Sequence, residues 1–413
     1  MVITLAWRNI WRHPRRTLVL LGAFCVGIWS MIFLGAVTRG MEREMLSNSI
    51  RTLTGHLQIH EARYRSDPVV ENSMWDASLI LNTVDRNLPP GVACAPRIRV
   101  PAICSNARHT GGVTLVGIDP DAEKQVSFIS GAITQGRYLN EDDTSAVIVG
   151  RALLEKYDTK IGHKLILMSQ DTKKEIASRA FRIVGVFDAE MESFEKSYVF
   201  VPLRSVGTML HMADGISEIA LLLPGESEGK DLTREKAVSA RLEKALNRPD
   251  LVIHTWWDLL PMVKAYLNMS DVSLYIWYIV VFTAMGFGIV NTTLMAVFER
   301  MREFGLMMAL GMTPIKVVGQ VMTETACLTV LGMAAGTLLG FLSVMALSTT
   351  GIDLSSLAKG AEMWGMPRIL YPAIRPGDVF KANGVVLILS MVVSLYPAIK
   401  AARFSPVEAM MQT

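Results

Sequence analysis

Residues 272–314 read VSLYIWYIVVFTAMGFGIVNTTLMAVFERMREFGLMMALGMTP. The first 27 of them, through Phe298, carry no charge, and a helix needs only roughly 20 apolar residues to cross a bilayer core. Charges then alternate at Glu299, Arg300, Arg302 and Glu303. An apolar run, LMMAL, follows, and Gly311 and Pro314 punctuate its end. The pattern predicts a membrane span, a short amphipathic helix that stops sharply, and a further span. A plain solvated connector has no use for LMMAL. A helix with one charged and one apolar edge, held between two spans, is suited to docking in another protein's groove.

Three other stretches are long and uncharged: Thr17 to Val37, Thr325 to Ile352 and Ala382 to Ile399. Lipid offers the backbone no hydrogen-bonding partner, so each reads as a spanning helix, and the runs are too long for barrel strands. The composition agrees: of 413 residues, 51% are hydrophobic and 19% charged, below the about 25% charged of soluble domains. A net charge of +3 gives no ground for a nucleic-acid partner. Arg8, Arg12, Arg15 and Arg16 precede the first span, Arg300, Arg302 and Lys316 separate the second from the third, and Lys400 and Arg403 follow the fourth. By the positive-inside rule these flanks and both termini are cytoplasmic. The expected order is an amphipathic entry helix (1–16) with Trp7 and Trp11 at the interface, a span (17–40), an outer domain (41–268), a span (269–298), a cytoplasmic coupling segment (299–314), a span (315–350), an outer loop (351–381), a span (382–402) and a tail (403–413). The first span is longer than a signal-peptide core and no small-x-small cleavage site follows it, so it reads as retained.

The excursion 41–268 is long enough for its own core. Its alternation and helical spacing predict an α+β domain. β-α-β units stand near each end (51–60, 77–88, 92–104; then 217–223, 231–247, 251–256), and a β-rich subdomain is inserted over about 113–203, with VTLVGI, SAVIVG, KLILMS, AFRIVGVF and SYVFVPL as its strands. Cys94 and Cys104 share one extended segment, so a bridge between them requires a turn near Pro96 or Pro101.

Chemistry-bearing motifs are missing. There is no G-x-x-x-x-G-K-[ST] phosphate loop, no H-E-x-x-H and no G-x-S-x-G elbow. His56 and His60 fall in a strand-like segment without a third ligand, so no metal site is expected, and no residue reads as catalytic. Cys25 and Cys327 read as small buried apolar residues of the spans. Gly332, Gly336 and Gly340 recur every fourth residue, the spacing that lets helices approach closely in lipid, within the chain or across a dimer. Glu324, near the predicted cytoplasmic end of the third span, reads as interfacial or as a helix cap.

Three ordered segments carry a family resemblance: LAWRNIWRHPRRTLVLLG (5–22), NTTLMAVFERMREFGLMMALGM (291–312) and YPAIKAARFSPVEAMM (396–411). The chain resembles permeases of the ABC superfamily that contains the macrolide exporter, the lipoprotein-releasing complex and the FtsX-like division permeases. VGIDPDAEKQVSFISGAITQGRYL (116–139) and AFRIVGVFDAEMESFEKSYVFVPL (180–203) are similar to the lipoprotein-releasing branch, whereas SQDTKKEIASR (169–179) is shorter and more charged than that branch's carrier-capturing loop. The resemblance implies a permease with no ATPase of its own. It would work in the bacterial inner membrane with a separate ATPase dimer that holds ATP and Mg2+, a second permease chain (identical or paralogous), membrane lipid and a periplasmic carrier or adaptor. Force would arrive on Glu299, Arg300, Arg302, Glu303, Phe304, Gly305, Gly311, Met312, Thr313 and Pro314. Met31, Leu34, Met269, Val272 and Ile276 would line a lateral substrate cavity, where flexible methionines suit acyl chains. The leading expectation is extraction of lipoproteins or related lipidated cargo toward the outer membrane. Adaptor-linked efflux and non-transporting signalling to a periplasmic partner are the alternatives.

Overall fold

The computed structural model describes residues 8, 11–12, 14–189, 191–225, 229–353 and 369–403. The chain divides into two compact units, one of residues up to 41, 268–353 and 369 onward, the other around 42–267. Helix α1 (Pro14–Ser49) contains the first apolar run and closes in a π-turn over Ile50–Thr54. Trp7 and the Pro406-Val407-Glu408-Ala409 of the closing motif lie outside the described residues, as does most of the entry helix before Pro14.

In the outer unit, β1 (Leu57–Glu61) is followed by α2 (Ala77–Asn87) and by β2 (Ala93–Ser105), a strand of 13 residues. Next come β3 (Thr110–Ile118), β4 (Ala146–Gly150), β5 (Lys164–Gln170), β6 (Ile176–Phe187) and β7 (Tyr198–Pro202). The unit ends with β8 (Glu218–Leu222), α3 (Thr233–Leu246) and β9 (Leu251–Thr255). Strands β9, β1, β8 and β2 form an antiparallel sheet in that order, with the apolar faces of α2 and α3 closing a core around Leu57, Ile59, Ile80, Val84, Leu221 and Leu242. The two β-α-β units, one from each end of the domain's sequence, interleave in one ferredoxin-like sheet.

The inserted strands are continuous with this sheet. β2 pairs with β8 over Ala93–Arg97, with β3 over Arg97–Ser105 and with β5 over Ile103–Ser105. Continuing through β3, β7, β4, β6 and β5 returns to β2, so six strands close a small barrel. Strand alternation sends Val100, Leu115, Val149, Leu167, Phe181 and Val199 inward to fill it. Pro96 and Pro101 do not turn the chain. Pro96 precedes the start of β3 pairing, and Pro101 falls between the end of β8 pairing and the start of β5 pairing. Each thus sits where one side of the strand is unpaired, the place a residue without an N–H is tolerated. Cys94 and Cys104 stay about 33 Å apart along this extended strand, and both are free thiols.

The other unit continues with α4 (Pro261–Glu299), α5 (Met301–Ala309), α6 (Pro314–Thr350) and α7 (Pro376–Ala402). Helices α1, α4, α6 and α7 are each long and apolar enough to cross a membrane. Their shared core contains Phe24, Ile28, Met31, Tyr278, Ile289 and Val386. The glycine stripe of α6 faces α1: a Cβ on Gly332 would lie 2.3 Å from the Phe24 Cβ, one on Gly336 2.7 Å from the Cys25 carbonyl oxygen, and one on Gly340 2.9 Å from Ile32 Cγ2. The small residues therefore serve packing within the chain. Hydroxyl and indole contacts reinforce it, Trp29 Nε1 donating to Ser343 Oγ at 3.2 Å and Thr329 meeting Ser390 at 3.2 Å.

Candidate functional site

The turn between α4 and α6 carries four charged residues in close succession, Glu299, Arg300, Arg302 and Glu303. α4 ends at Glu299, Arg300 redirects the chain (φ −105°, ψ 14°) and α5 begins. After α5 the chain reverses at Gly311, whose φ of 99° excludes most side chains. Thr313 is extended, and Pro314 opens α6, the helix position where a missing N–H costs nothing.

Arg300 is the pivot. It is 7% exposed, and its Nη1 donates to both Glu324 oxygens at 2.8 and 2.9 Å while Nε donates to Glu303 Oε2 at 3.1 Å. Its guanidinium also lies 5.0 Å over the Phe304 ring. Arg12 donates to Glu303, and Arg16 donates to Glu299 at 2.6 Å, tying α1 into the same cluster. A charge this far out of water persists only when it is paired and hydrogen-bonded. Partial burial works against ionisation of Glu303, but the bonds from Arg300 and Arg12 prevail and hold its carboxyl below the usual range. Of the two expectations for Glu324, interfacial placement or a helix cap, the cap is corrected: it lies inside α6 and neutralises Arg300.

The apolar edge of α5 splits in two. Phe304 is buried with Val297, Val317, Val321, Ala398 and Ala401, and Met307, Met308 and Met312 pack against the same cluster. Gly305 is buried beside Phe304. Leu306, Leu310 and Ile315 are 55%, 80% and 79% exposed. Arg302, Gly311, Thr313 and Pro314 are exposed with them. So the ten residues expected to receive force divide into an inner set that builds the turn and an outer set that surfaces it.

The expected cavity residues do not group together. Met269, Val272 and Ile276 form one exposed stripe of α4, at 62%, 58% and 57% exposure. Leu34 is half-buried. Met31, at 1%, is enclosed in the helical core and offers no surface, because α1 turns that face toward Tyr278 and Val386. A second cluster escaped the sequence reading: Arg39 donates to Asp378 at 2.7 Å and to Asp271 at 3.0 Å, joining α1, α4 and α7. The available signal was three unlike charges at the ends of apolar runs. Among the described residues no His, Cys, Asp and Glu group could hold a metal ion. His60 instead pairs with His254, their ring nitrogens 3.1 Å apart.

Comparison with known proteins follows this division. Residues 17–237 match the MacB-like periplasmic core domain, and residues 275–406 match the FtsX-like permease C-terminal region. The chain is 22% identical over 350 residues to the lipoprotein-releasing system transmembrane protein LolC of Xylella fastidiosa, covering 81% of each. It is 21% identical to the lipoprotein-releasing system transmembrane protein LolE of Haemophilus influenzae, over 98% of both chains. It is 23% identical to the macrolide export ATP-binding/permease protein MacB of Nitrosomonas europaea, over 99% of this chain but only 58% of that longer protein.

Proposed function

The chain belongs to the ABC-type permease family that joins a MacB-like periplasmic core domain to an FtsX-like permease region, and from that premise we propose that it is the membrane subunit of an ATP-driven machine that moves lipidated cargo out of the inner membrane. The observation that carries the reading is the turn Glu299–Pro314: an exposed aliphatic edge of Leu306, Leu310 and Ile315 mounted on a charge cluster in which Glu324 and Glu303 hold the buried Arg300. A partner ATPase pressing on the exposed edge would move a charge cluster that cannot slide without breaking, so the push would pass to α4, α6 and α1 as rigid rods. In this reading the termini and the turn are cytoplasmic, the 42–267 unit is periplasmic, and two permease chains pair, with the Met269, Val272 and Ile276 stripe facing acyl chains.

Lipoprotein release is favoured over efflux because relatives named for it are matched over 81% and 98% of their own length, against 58% for the ATP-binding/permease protein of macrolide export. Adaptor-linked efflux is the second reading, on the match to the macrolide exporter. Depletion of the chain followed by proteomics of separated inner and outer membranes decides between them. Lipoproteins retained in the inner membrane are the expected result; unchanged lipoprotein sorting with increased drug sensitivity would reject extraction in favour of efflux.

A further inference from the structure

A cavity of about 700 Å³ opens in the outer unit where the outward face of the barrel meets the π-turn after α1. That volume lies within the range, about 300–1,000 Å³, of pockets that hold a small organic ligand. Alternation along β2 aims Val100 into the barrel and Arg97, Arg99 and Pro101 outward. The two arginines are treated differently. Arg97 is wholly buried and fully matched, with Glu123 at 2.7 and 2.9 Å, Glu218 at 3.3 Å and the Leu53 carbonyl as acceptors. Arg99 has its backbone fixed on both sides, its N–H donating to Ser217 Oγ at 2.7 Å and its carbonyl accepting from the Tyr64 hydroxyl. Its guanidinium, however, donates no hydrogen bond to any described residue. The nearest carboxylate oxygen, on Glu218, is 3.6 Å away and belongs to a group already serving Arg97.

Arg99 thus presents up to five donors, in a fork that matches a carboxylate or phosphate, to a half-open cavity. Arg51 and Arg65 add positive charge at the rim; of the two lining carboxylates, Asp188 is paired with Arg151 at 2.6 Å and Glu218 with Arg97 at 3.3 Å and Arg99 at 3.6 Å. Tyr64, Phe128, Phe194 and Tyr198 form an aromatic part of the wall, the last two stacked at 4.2 Å, with Arg99 over the Tyr198 ring at 5.9 Å, while Asn48, Ser49, Thr52, Gln58 and Thr114 belong to its polar lining. A cationic fork whose one carboxylate neighbour lies beyond hydrogen-bonding distance, set beside an aromatic stretch of wall, suits an amphipathic ligand with a single anionic head.

We propose that this cavity binds a single-chain amphipathic anion, its carboxylate or phosphate on Arg99 and its apolar tail along the aromatic wall. The head can come from a free fatty acid or from a lysophospholipid. The test uses the full chain in lipid nanodiscs, illuminated with a diazirine-bearing dodecanoate and mapped by peptide mass spectrometry. Adducts are expected within residues 51–68 and 188–198, with adducts on the lipid-facing helices as internal reference. Arg99→Gln should lower the cavity adduct about tenfold against that reference, and Arg99→Lys by less than that, since it keeps the charge but loses the fork. Thr114→Phe, which leaves Arg99 intact and fills the space, should abolish the adduct and decides the matter if Arg99→Gln does not fold. Excess dodecanoate should compete and dodecanol should not. Competition by lysophosphatidylglycerol as well assigns a lipid source; competition by the free acid alone assigns a fatty acid. Absence of adducts in those segments, or equal competition by dodecanol, overturns the proposal.

Discussion

His56 shows how one buried side chain sets a pH limit on the outer unit. Its Nδ1 accepts the Leu223 N–H at 3.1 Å, so the ring must stay neutral there. Burial, then the positive charges of Arg234 and Arg51, push its pKa down from 6.5 to about 4. Between those values the unfolded chain binds a proton that the folded chain refuses. Stability is therefore complete above pH 6.5 and falls as pH drops toward 4, by about 2–3 kcal/mol for this group. His56→Asn supplies a non-titrating acceptor. Denaturant unfolding of the full chain, followed by tryptophan fluorescence at several pH values, should show the wild type losing its advantage over the variant across that window. A difference that stays flat from pH 7 to 4 would refute the assignment.

At the scale of the element, α6 carries two kinds of glycine. A Cβ on Gly336 would strike the Cys25 carbonyl at 2.7 Å, whereas one on Gly319 meets nothing within 4 Å. Gly336→Val should force α1 and α6 apart at a cost of about 1–3 kcal/mol, and Gly319→Ala should stabilise by about 0.5–1 kcal/mol through helix propensity. Thermal unfolding in detergent reads both, and equal midpoints for the two variants would contradict the close approach. The α5 turn makes a separate prediction. Leu310 is 80% exposed and holds nothing inside, so Leu310→Glu should reduce co-purification of the ATPase about tenfold or more, the scale of a lost apolar anchor, with unfolding unchanged. Glu303→Lys would be less informative, because Glu303 also anchors Arg300. Undiminished ATPase capture by the Leu310 variant would remove the exposed edge from the docking surface.

For the whole molecule, the decisive prediction is sidedness. Lys174 sits in an exposed turn between β5 and β6, and Thr313 on the exposed turn before α6. Lys174→Cys should react with a membrane-impermeant maleimide in cells whose inner membrane is intact, and Thr313→Cys only after that membrane is opened. Reversed labelling would place the outer unit in the cytoplasm and defeat the permease reading. Much of the arrangement that this tests was legible beforehand. The four apolar runs, the punctuation at Gly311 and Pro314 and the strand alternation of 92–104 are properties of neighbouring residues, and each reappears inside α1, α4, α6, α7, the α5 turn and β2. The Arg300–Glu324 pair, the burial of Met31 and the Arg39 cluster were not legible, since each depends on which helix faces stand opposite one another.

The order of the chain's parts followed from sequence alone: uncharged runs of span length, their basic flanks, a large polar excursion after the first and a short amphipathic turn after the second. Solvent and lipid impose those demands locally, so a single strand of text records them. Tertiary structure alone decided that two β-α-β units share one sheet, that six strands close a barrel through β2, and that Arg99 faces a chamber while Arg97, two residues away, is sealed. Those outcomes rest on partners more than twenty positions distant in the chain, such as Glu123 and Glu218. Backbone hydrogen bonding and ion pairing accept many such partners, and only the assembled fold selects among them.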